Sequence, residues 1–253
     1  MSETDERIEA VATALTEADH AVALTGAGVS TASGIPDFRS EGGIWDRFDP
    51  AEFRYSRFQR DPAGFWEQRA ALHETVYGAD IEPNVAHEAL ARLETRGVLD
   101  ALVTQNIDGL HAAAGSERVI ELHGNADRVV CVDCGQRRPV EQAQERVETG
   151  NLPPRCADCG GTLKPDVVLF GEQLPEGALQ RAREYTRAAD VFLAVGSSLT
   201  VEPAASLPRV AHRNGATLVI VNLESTAVSR VAEYDLRMDV TDALPQLVAA
   251  VVA

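Results

Sequence analysis

The chain has 253 residues, 45% apolar and 25% charged, the balance of a globular protein and not of a disordered chain, a collagen or a coiled coil. That length fits one large domain, or one domain carrying a small insertion. Its 23 Lys and Arg against 39 Asp and Glu leave a net charge of −16, which repels phosphate backbones and argues against nonspecific nucleic-acid binding.

No apolar run reaches the roughly 18 residues of a membrane span. The N-terminal MSETDERIEA is too acidic for a signal peptide. The expectation is a soluble, cytoplasmic protein without a membrane partner. Lys164 is the only lysine, so the other basic residues are all arginine. Acid-rich, lysine-poor surfaces stay hydrated in concentrated salt. Drift in a GC-rich genome gives the same bias, and both readings stand.

In chain order, residues 5–18 carry Ile8, Val11, Ala12 and Leu15 at helical spacing. Residues 20–25 form an apolar run ending in Gly26-Ala27-Gly28, the pattern of a buried strand entering a tight loop. Residues 44–80 are rich in aromatics and arginine and predict a helical insertion, with Asp61-Pro62 opening one helix. A helix is predicted over 84–96, a strand over 101–104 and a weaker strand over 119–122. Residues 125–165 hold all four cysteines and little apolar periodicity. Helices are then predicted over 176–189, 203–214 and 242–252, with strands over 191–196, 217–222 and, weakly, 236–240. Short buried strands alternating with helices predict an α/β fold, a doubly wound, Rossmann-like parallel sheet. The expected large domain joins residues 1–43, 81–124 and 166–253, interrupted by the helical insertion 44–80 and a small zinc-binding module 125–165.

Cys131-x-x-Cys134 is followed by Cys156-x-x-Cys159, each pair with glycine just after it. Two such knuckles supply four thiolates for a tetrahedral Zn²⁺. The metal would contribute the folding energy that a poorly cored segment lacks. With four thiolates no coordination position stays open, so the expected role is structural. A pair of disulfides is the competing reading, which an intracellular chain disfavours.

Gly26-Ala27-Gly28-Val29-Ser30 follows the first predicted strand, where glycines let backbone amides approach a pyrophosphate. A dehydrogenase fingerprint would need glycine where Thr31 stands, which disfavours an ordinary NAD(P) dehydrogenase. Gly196-Ser197-Ser198 and Asn222-Leu223-Glu224 also end predicted strands. Ligands of parallel sheets bind beyond the carboxyl ends of their strands, so the three ends can converge on one dinucleotide. Two polar clusters follow strands as well: Gln105-Asn106-Ile107-Asp108 and His123-Gly124. His123 has a titration range suited to a general base, although a single histidine is more often structural.

These segments together resemble the sirtuins, the NAD-dependent protein deacylases. The matching motifs are GAGVSTASGIPDFRS (26–40), TQNIDGLH (104–111), ELHGN (121–125), the two cysteine knuckles, KPDVVLFGE (164–172), GSSLTVEPAA (196–205) and VIVNLE (219–224), in the family's order. The resemblance implies NAD as a consumed cosubstrate and one structural Zn²⁺ on Cys131, Cys134, Cys156 and Cys159. It implies that Gly26, Ala27, Gly28 and Ser30 meet the pyrophosphate and ribose, and that Phe38 and Arg39 belong to a loop closing over NAD. Gln105, Asn106, Ile107 and Asp108 would form the nicotinamide and ribose pocket. Gly196, Ser197, Ser198, Asn222, Leu223 and Glu224 would line the adenosine side. His123 would be the catalytic base, with Asn106 and Asp108 stabilising a developing cation and a water. Val167, Val168, Leu169, Phe170 and Gly171 would lie beside an acyl-lysine peptide as a strand.

In the implied reaction the acyl amide oxygen attacks the nicotinamide ribose and nicotinamide leaves. His123 then deprotonates a ribose hydroxyl, and free lysine and O-acyl-ADP-ribose are released. Members that prefer succinyl or malonyl groups carry Tyr-x-x-Arg in the insertion. Here Trp66 and Arg69 stand at that spacing, which implies a retained but weakened acid-acyl capacity. A mono-ADP-ribosyltransferase using the same pocket, and a non-catalytic zinc-and-NAD module, are the competing readings.

Overall fold

The computed structural model describes residues 2–77 and 81–252. Helix α1 (Glu3–Glu17) starts where Ser2 and Asp5 form a capping box, and it buries Ile8, Val11, Ala12 and Leu15 on one face. The central sheet contains β1 (Ala21–Thr25), β2 (Ala101–Thr104), β3 (Val119–Glu121), β7 (Val191–Val195), β8 (Thr217–Val221) and β9 (Tyr234–Leu236). Between them in sequence lie β4 (Gly124–Cys131), β5 (Arg137–Pro139) and β6 (Leu163–Val167). The other helices are α2 (Ile44–Arg47), α3 (Tyr55–Arg60), α4 (Pro62–Tyr77), α5 (Val85–Thr95), α6 (Leu110–Ala113), α7 (Glu141–Glu148), α8 (Glu176–Ala188), α9 (Leu207–Arg213) and α10 (Val240–Val252).

Among the described residues, the six strands of the main sheet are parallel in the order β3-β2-β1-β7-β8-β9. The side-chain period of a strand explains their unbroken apolar runs. Ala21, Ala23, Leu193, Val195, Val219 and Val221 pack against α1, α5 and α10. Val22, Leu24, Phe192, Ala194, Leu218 and Ile220 pack under α8 and α9 on the opposite face. The expected doubly wound parallel sheet is therefore present. Strand order reverses at β1, between β2 and β7, and that is where a parallel sheet opens a crevice at its carboxyl edge.

Two boundaries differ from the sequence reading. The last strand is Tyr234–Leu236, ahead of the expected 236–240. Asp239 accepts the Thr241 amide at 2.8 Å and turns the chain into α10. The expected helix over 203–214 divides into a 3₁₀ turn, Ala204–Ser206, and α9, where Pro208 sits in the first turn. The end of the expected insertion, residues 78–80, lies outside the described residues.

The cysteine segment carries its own antiparallel sheet, β5-β4-β6. Val129, Cys131, Val140, Ala143, Cys156 and Leu163 share one apolar core with Phe53, Phe58, Phe65 and Trp66 of the helical insertion. The two inserted segments thus stabilise each other beside the crevice. Among the described residues, no helix is long and apolar enough to cross a membrane.

Candidate active site and metal centre

A cleft of about 1020 Å³ opens at the strand ends, between the sheet, the helical segment 44–77 and the segment that follows β6. Its walls include Ala27 and Gly28 after β1, Gln105, Asn106 and Ile107 after β2, and His123 after β3. Gly196, Ser197 and Ser198 after β7, and Asn222, Leu223 and Glu224 after β8, form the far wall. Phe38 and Arg39 line it from the loop before α2, and Val168, Leu169, Phe170 and Gly171 from the segment after β6. This volume is at the upper end for small-molecule sites, room for a dinucleotide and an acyl-lysine together.

The glycines at the crevice floor are required by close approach. The Gly28 amide donates to the Gly196 carbonyl at 2.8 Å. A Cβ on Gly28 would sit 2.9 Å from that oxygen, and one on Gly26 would sit 2.8 Å from Ser197 Cβ. The strand ends are also stitched by side chains. Ser197 Oγ donates to Gln105 Oε1 at 2.7 Å, and buried Asn106 donates to the Gly26 carbonyl at 3.2 Å and to Ser30 Oγ at 3.0 Å.

His123 Nδ1 lies 2.7 Å from the Gln105 carbonyl oxygen. A carbonyl only accepts, so Nδ1 carries the hydrogen and Nε2 is left as the basic nitrogen. Burial pushes the His123 pKa below its ordinary value, and the Gln105 carbonyl only partly opposes this. The imidazole is therefore neutral at pH 7.

Several expected residues stand behind the cleft wall. Gly26 and Ser30 lie under it. Asp108 accepts from Ser30 Oγ at 2.7 Å and from the Leu110 amide at 3.0 Å, so it reaches the site through Ser30. Trp66 requires a correction. It is buried in the core shared with the cysteine segment, and its Nε1 donates to the Leu163 carbonyl at 2.9 Å. It does not line the cleft. Arg69 does, on one stripe of α4 with Phe65, Leu72 and Val76. Leu72 and Val76 were missed, although their spacing of seven and eleven residues from Phe65 is a helical face. Trp45 was missed too; its ring packs at a tilt 5.3 Å from Phe38 and 5.5 Å from Phe170, closing one wall. The segment 167–171 is also less strand-like than expected. β6 ends at Val167, and the Phe170 amide and carbonyl are taken by Phe53 and Tyr55.

Behind Ser30 lies a buried histidine pair. His87 Nδ1 accepts the Asn84 amide at 3.3 Å, and its Nε2 faces Ser30 Oγ at 3.4 Å. His111 Nε2 lies 2.9 Å from Thr25 Oγ1, and the two rings are 4.8 Å apart. Burial lowers the pKa of His87 to about 4 and that of His111 to about 3. Both folded values lie below the unfolded value, so the unfolded chain binds more protons in acid. Stability is then full above pH 6.5 and falls by about 1.4 kcal/mol per pH unit per histidine as pH drops toward the folded values. A melting temperature that declines from pH 7 to 5 at constant salt is expected. A flat profile would contradict the neutral, buried assignment.

The four cysteine Sγ atoms all lie within 4.8 Å of one another. Cys131–Cys159 are 3.5 Å apart and Cys134–Cys156 3.8 Å. A tetrahedral Zn²⁺ with Zn–S bonds of about 2.3 Å has S–S edges of about 3.8 Å, so the donor set fits this ion. Gly135 and Gly160 hold the positive φ values that turn each knuckle, 72° and 75°. A Cβ on Gly161 would come within 2.8 Å of Cys131 Sγ. The four thiolates lie apart from the cleft, as a structural ion requires.

Residues 26–203 match the family model described as the Sir2 family. An NAD-dependent protein deacetylase of Haloarcula marismortui is 58% identical across 96% of this chain and 94% of its own length. The Haloarcula source fits the salt-adapted reading of the composition. An NAD-dependent protein deacylase of Aeropyrum pernix is 49% identical over 86% of each chain. A solved Sir2–p53 peptide–NAD⁺ complex superposes with a TM-score of 0.85 at 39% identity, covering 96% of this chain and 97% of that one. A Sir2 structure with deacetylated p53 peptide and 3′-O-acetyl-ADP-ribose gives a TM-score of 0.87 at 38% identity, with 96% and 97% covered. With its motifs, its parallel sheet and these likenesses in agreement, the chain belongs to the Sir2 family.

Proposed function

We propose that this protein is a cytoplasmic, NAD-dependent protein-lysine deacylase that converts acyl-lysine in proteins or peptides to lysine, nicotinamide and O-acyl-ADP-ribose. The observation that carries this reading is His123: a neutral imidazole on the cleft wall, fixed in one tautomer by the Gln105 carbonyl. Such a group takes a proton from a hydroxyl without needing a metal-bound water.

NAD, when bound, supplies a ribose carbon made reactive by its nicotinamide leaving group. The chain's residues divide the remaining work. Ala27 and Gly28 bring the backbone of the loop to the cleft surface against the pyrophosphate, and the Ala27 amide is the one of the Gly26–Ser30 loop without a partner among the described residues. Gln105, Asn106 and Ile107 surround the nicotinamide ribose. Asn106 orients its amide by donating to Gly26 and Ser30, and Asp108 positions Ser30 from behind. Gly196, Ser197, Ser198, Asn222, Leu223 and Glu224 hold the adenosine end. Phe38 and Arg39 cover the cleft and keep water from the reacting carbon. Zn²⁺ on Cys131, Cys134, Cys156 and Cys159 supplies folding energy alone. Nicotinamide release that requires an acyl-lysine peptide, with one free lysine formed per nicotinamide, is the expected result. Equal release without peptide would contradict the reading.

The acid-acyl capacity rests on Arg69 alone, because Trp66 is committed to Leu163. A guanidinium at the cleft wall pairs bidentately with an acyl carboxylate. Arg69→Met is expected to lower succinyl-peptide turnover by about 10–100-fold, with a smaller loss on acetyl-peptide. Equal losses on both substrates would show that Arg69 only supports α4.

A further inference from the structure

Lys164 stands alone in composition and in place. It is the one lysine of the chain, and its side chain is only 7% exposed. Its ammonium donates to the Val167 carbonyl at 2.6 Å, the Pro165 carbonyl at 3.1 Å and Glu172 Oε2 at 3.0 Å. The same Glu172 oxygen accepts the Leu169 amide at 3.0 Å, and the Glu172 amide returns to the Leu169 carbonyl at 2.9 Å. Lys164 thus sits at the hub of the turn spanning 165–172. The Val168 amide joins this turn to the His123 carbonyl at 2.8 Å. Gly124 permits the approach: at φ +78°, its Cβ would lie 2.0 Å from the Asp166 carbonyl oxygen.

The consequence is a short list of unused backbone groups. The amides of Val168, Leu169, Phe170 and Glu172 are all committed. Val168 and Gly171 line the cleft, and the Val168 carbonyl and Gly171 amide have no hydrogen-bond partner among the described residues. They are the groups the turn offers to an extended peptide. A buried ion pair adds little net stability over an apolar pair of similar volume. What it specifies is one geometry of the backbone it grips. A methionine of similar length would leave the two carbonyls and the carboxylate without the donor they share.

We propose that Lys164 is a positioning residue for substrate recognition, its ammonium clamping the 165–172 turn so that Val168 and Gly171 present their free backbone groups to the acyl-lysine peptide. This rests on the deacylase reading above and names what makes its peptide site. The test is anisotropy of a labelled acetyl-lysine peptide, with ADP-ribose present, on the parent, Lys164→Met, Lys164→Arg and Glu172→Gln. Lys164→Met is expected to weaken peptide binding by about tenfold or more, Lys164→Arg and Glu172→Gln by less, and ADP-ribose binding is expected to change by under about twofold. Faster hydrogen exchange at the Leu169 and Phe170 amides is expected alongside. If Lys164→Met does not fold, Glu172→Gln carries the comparison, since it keeps the side chain's volume. A lower melting temperature in Lys164→Met with unchanged peptide affinity and unchanged exchange overturns the proposal. In that case the parent still binds acyl-peptide and the deacylase reading stands. A parent that binds no acyl-peptide overturns both.

Discussion

Replacing His123 with alanine is expected to lower acyl-lysine turnover by about 10²–10⁴-fold, the contribution of a positioned general base. The fold should survive, because among the described residues the ring makes one hydrogen bond, to the Gln105 carbonyl. NAD binding should survive as well, since the pyrophosphate and adenosine walls lie on other strand ends. Exchange of free nicotinamide into NAD should be partly retained, because nicotinamide leaves before the base acts. The pH profile adds a second check. Burial lowers the His123 pKa, so the base stays neutral into mild acid. The acid limb of kcat/KM should therefore fall below pH 6.5, the ordinary histidine value. Turnover within a few-fold of the parent in His123→Ala would remove His123 from the mechanism.

Loss of the metal should be more severe. Structural Zn²⁺ contributes about 10–16 kcal/mol in small zinc modules, against about 5–15 kcal/mol for the stability of a whole domain. Cys131 and Cys156 are buried in the core that also holds Phe58, Phe65 and Trp66. Phe65 begins the α4 stripe on the cleft wall. Unfolding the thiolate module therefore takes that wall with it. Cys131→Ser and Cys156→Ser are expected to abolish turnover and to unfold residues 125–165, read as lost amide protection there. Metal analysis of the parent should give one zinc per chain. A value well below one, or full activity after all four cysteines become serine, would contradict the assignment.

The main sheet was legible because its strands are buried on both faces. Val191–Val195 and Thr217–Val221 read as unbroken apolar runs for that reason. The cleft residues at the sheet were legible as well, since Gly28, Gln105, Asn106, His123, Ser197 and Asn222 each follow a strand end; Trp45, Leu72 and Val76 on the opposite wall follow none and were missed. The small sheet β5-β4-β6 was not legible. Its longest strand, Gly124–Cys131, has no regular alternation of buried and exposed residues, its pairing with β6 skips from Gly124 to Val129 through a bulge, and that partner is distant in sequence. Trp66 misled for a related cause. Spacing fixes which residues share a helical face, but which neighbour that face meets is decided by tertiary packing. The indole turned to Leu163 on the cysteine module, while Arg69, Leu72 and Val76 faced the cleft. Lys164 read only as part of a lysine-poor composition, because its partners Val167 and Glu172 are brought together by the turn and not by any spacing pattern.

The central claim is that the acyl group of a lysine amide is transferred to the ADP-ribose half of NAD. Mass spectrometry of both products from an acetyl-lysine peptide incubated with NAD reads this directly. The expected result is a peptide lighter by one acetyl group and, in equal amount, an ADP-ribose heavier by that same group, neither formed without NAD. A peptide that gains ADP-ribose while keeping its acetyl group would instead identify a mono-ADP-ribosyltransferase and contradict the deacylase mechanism.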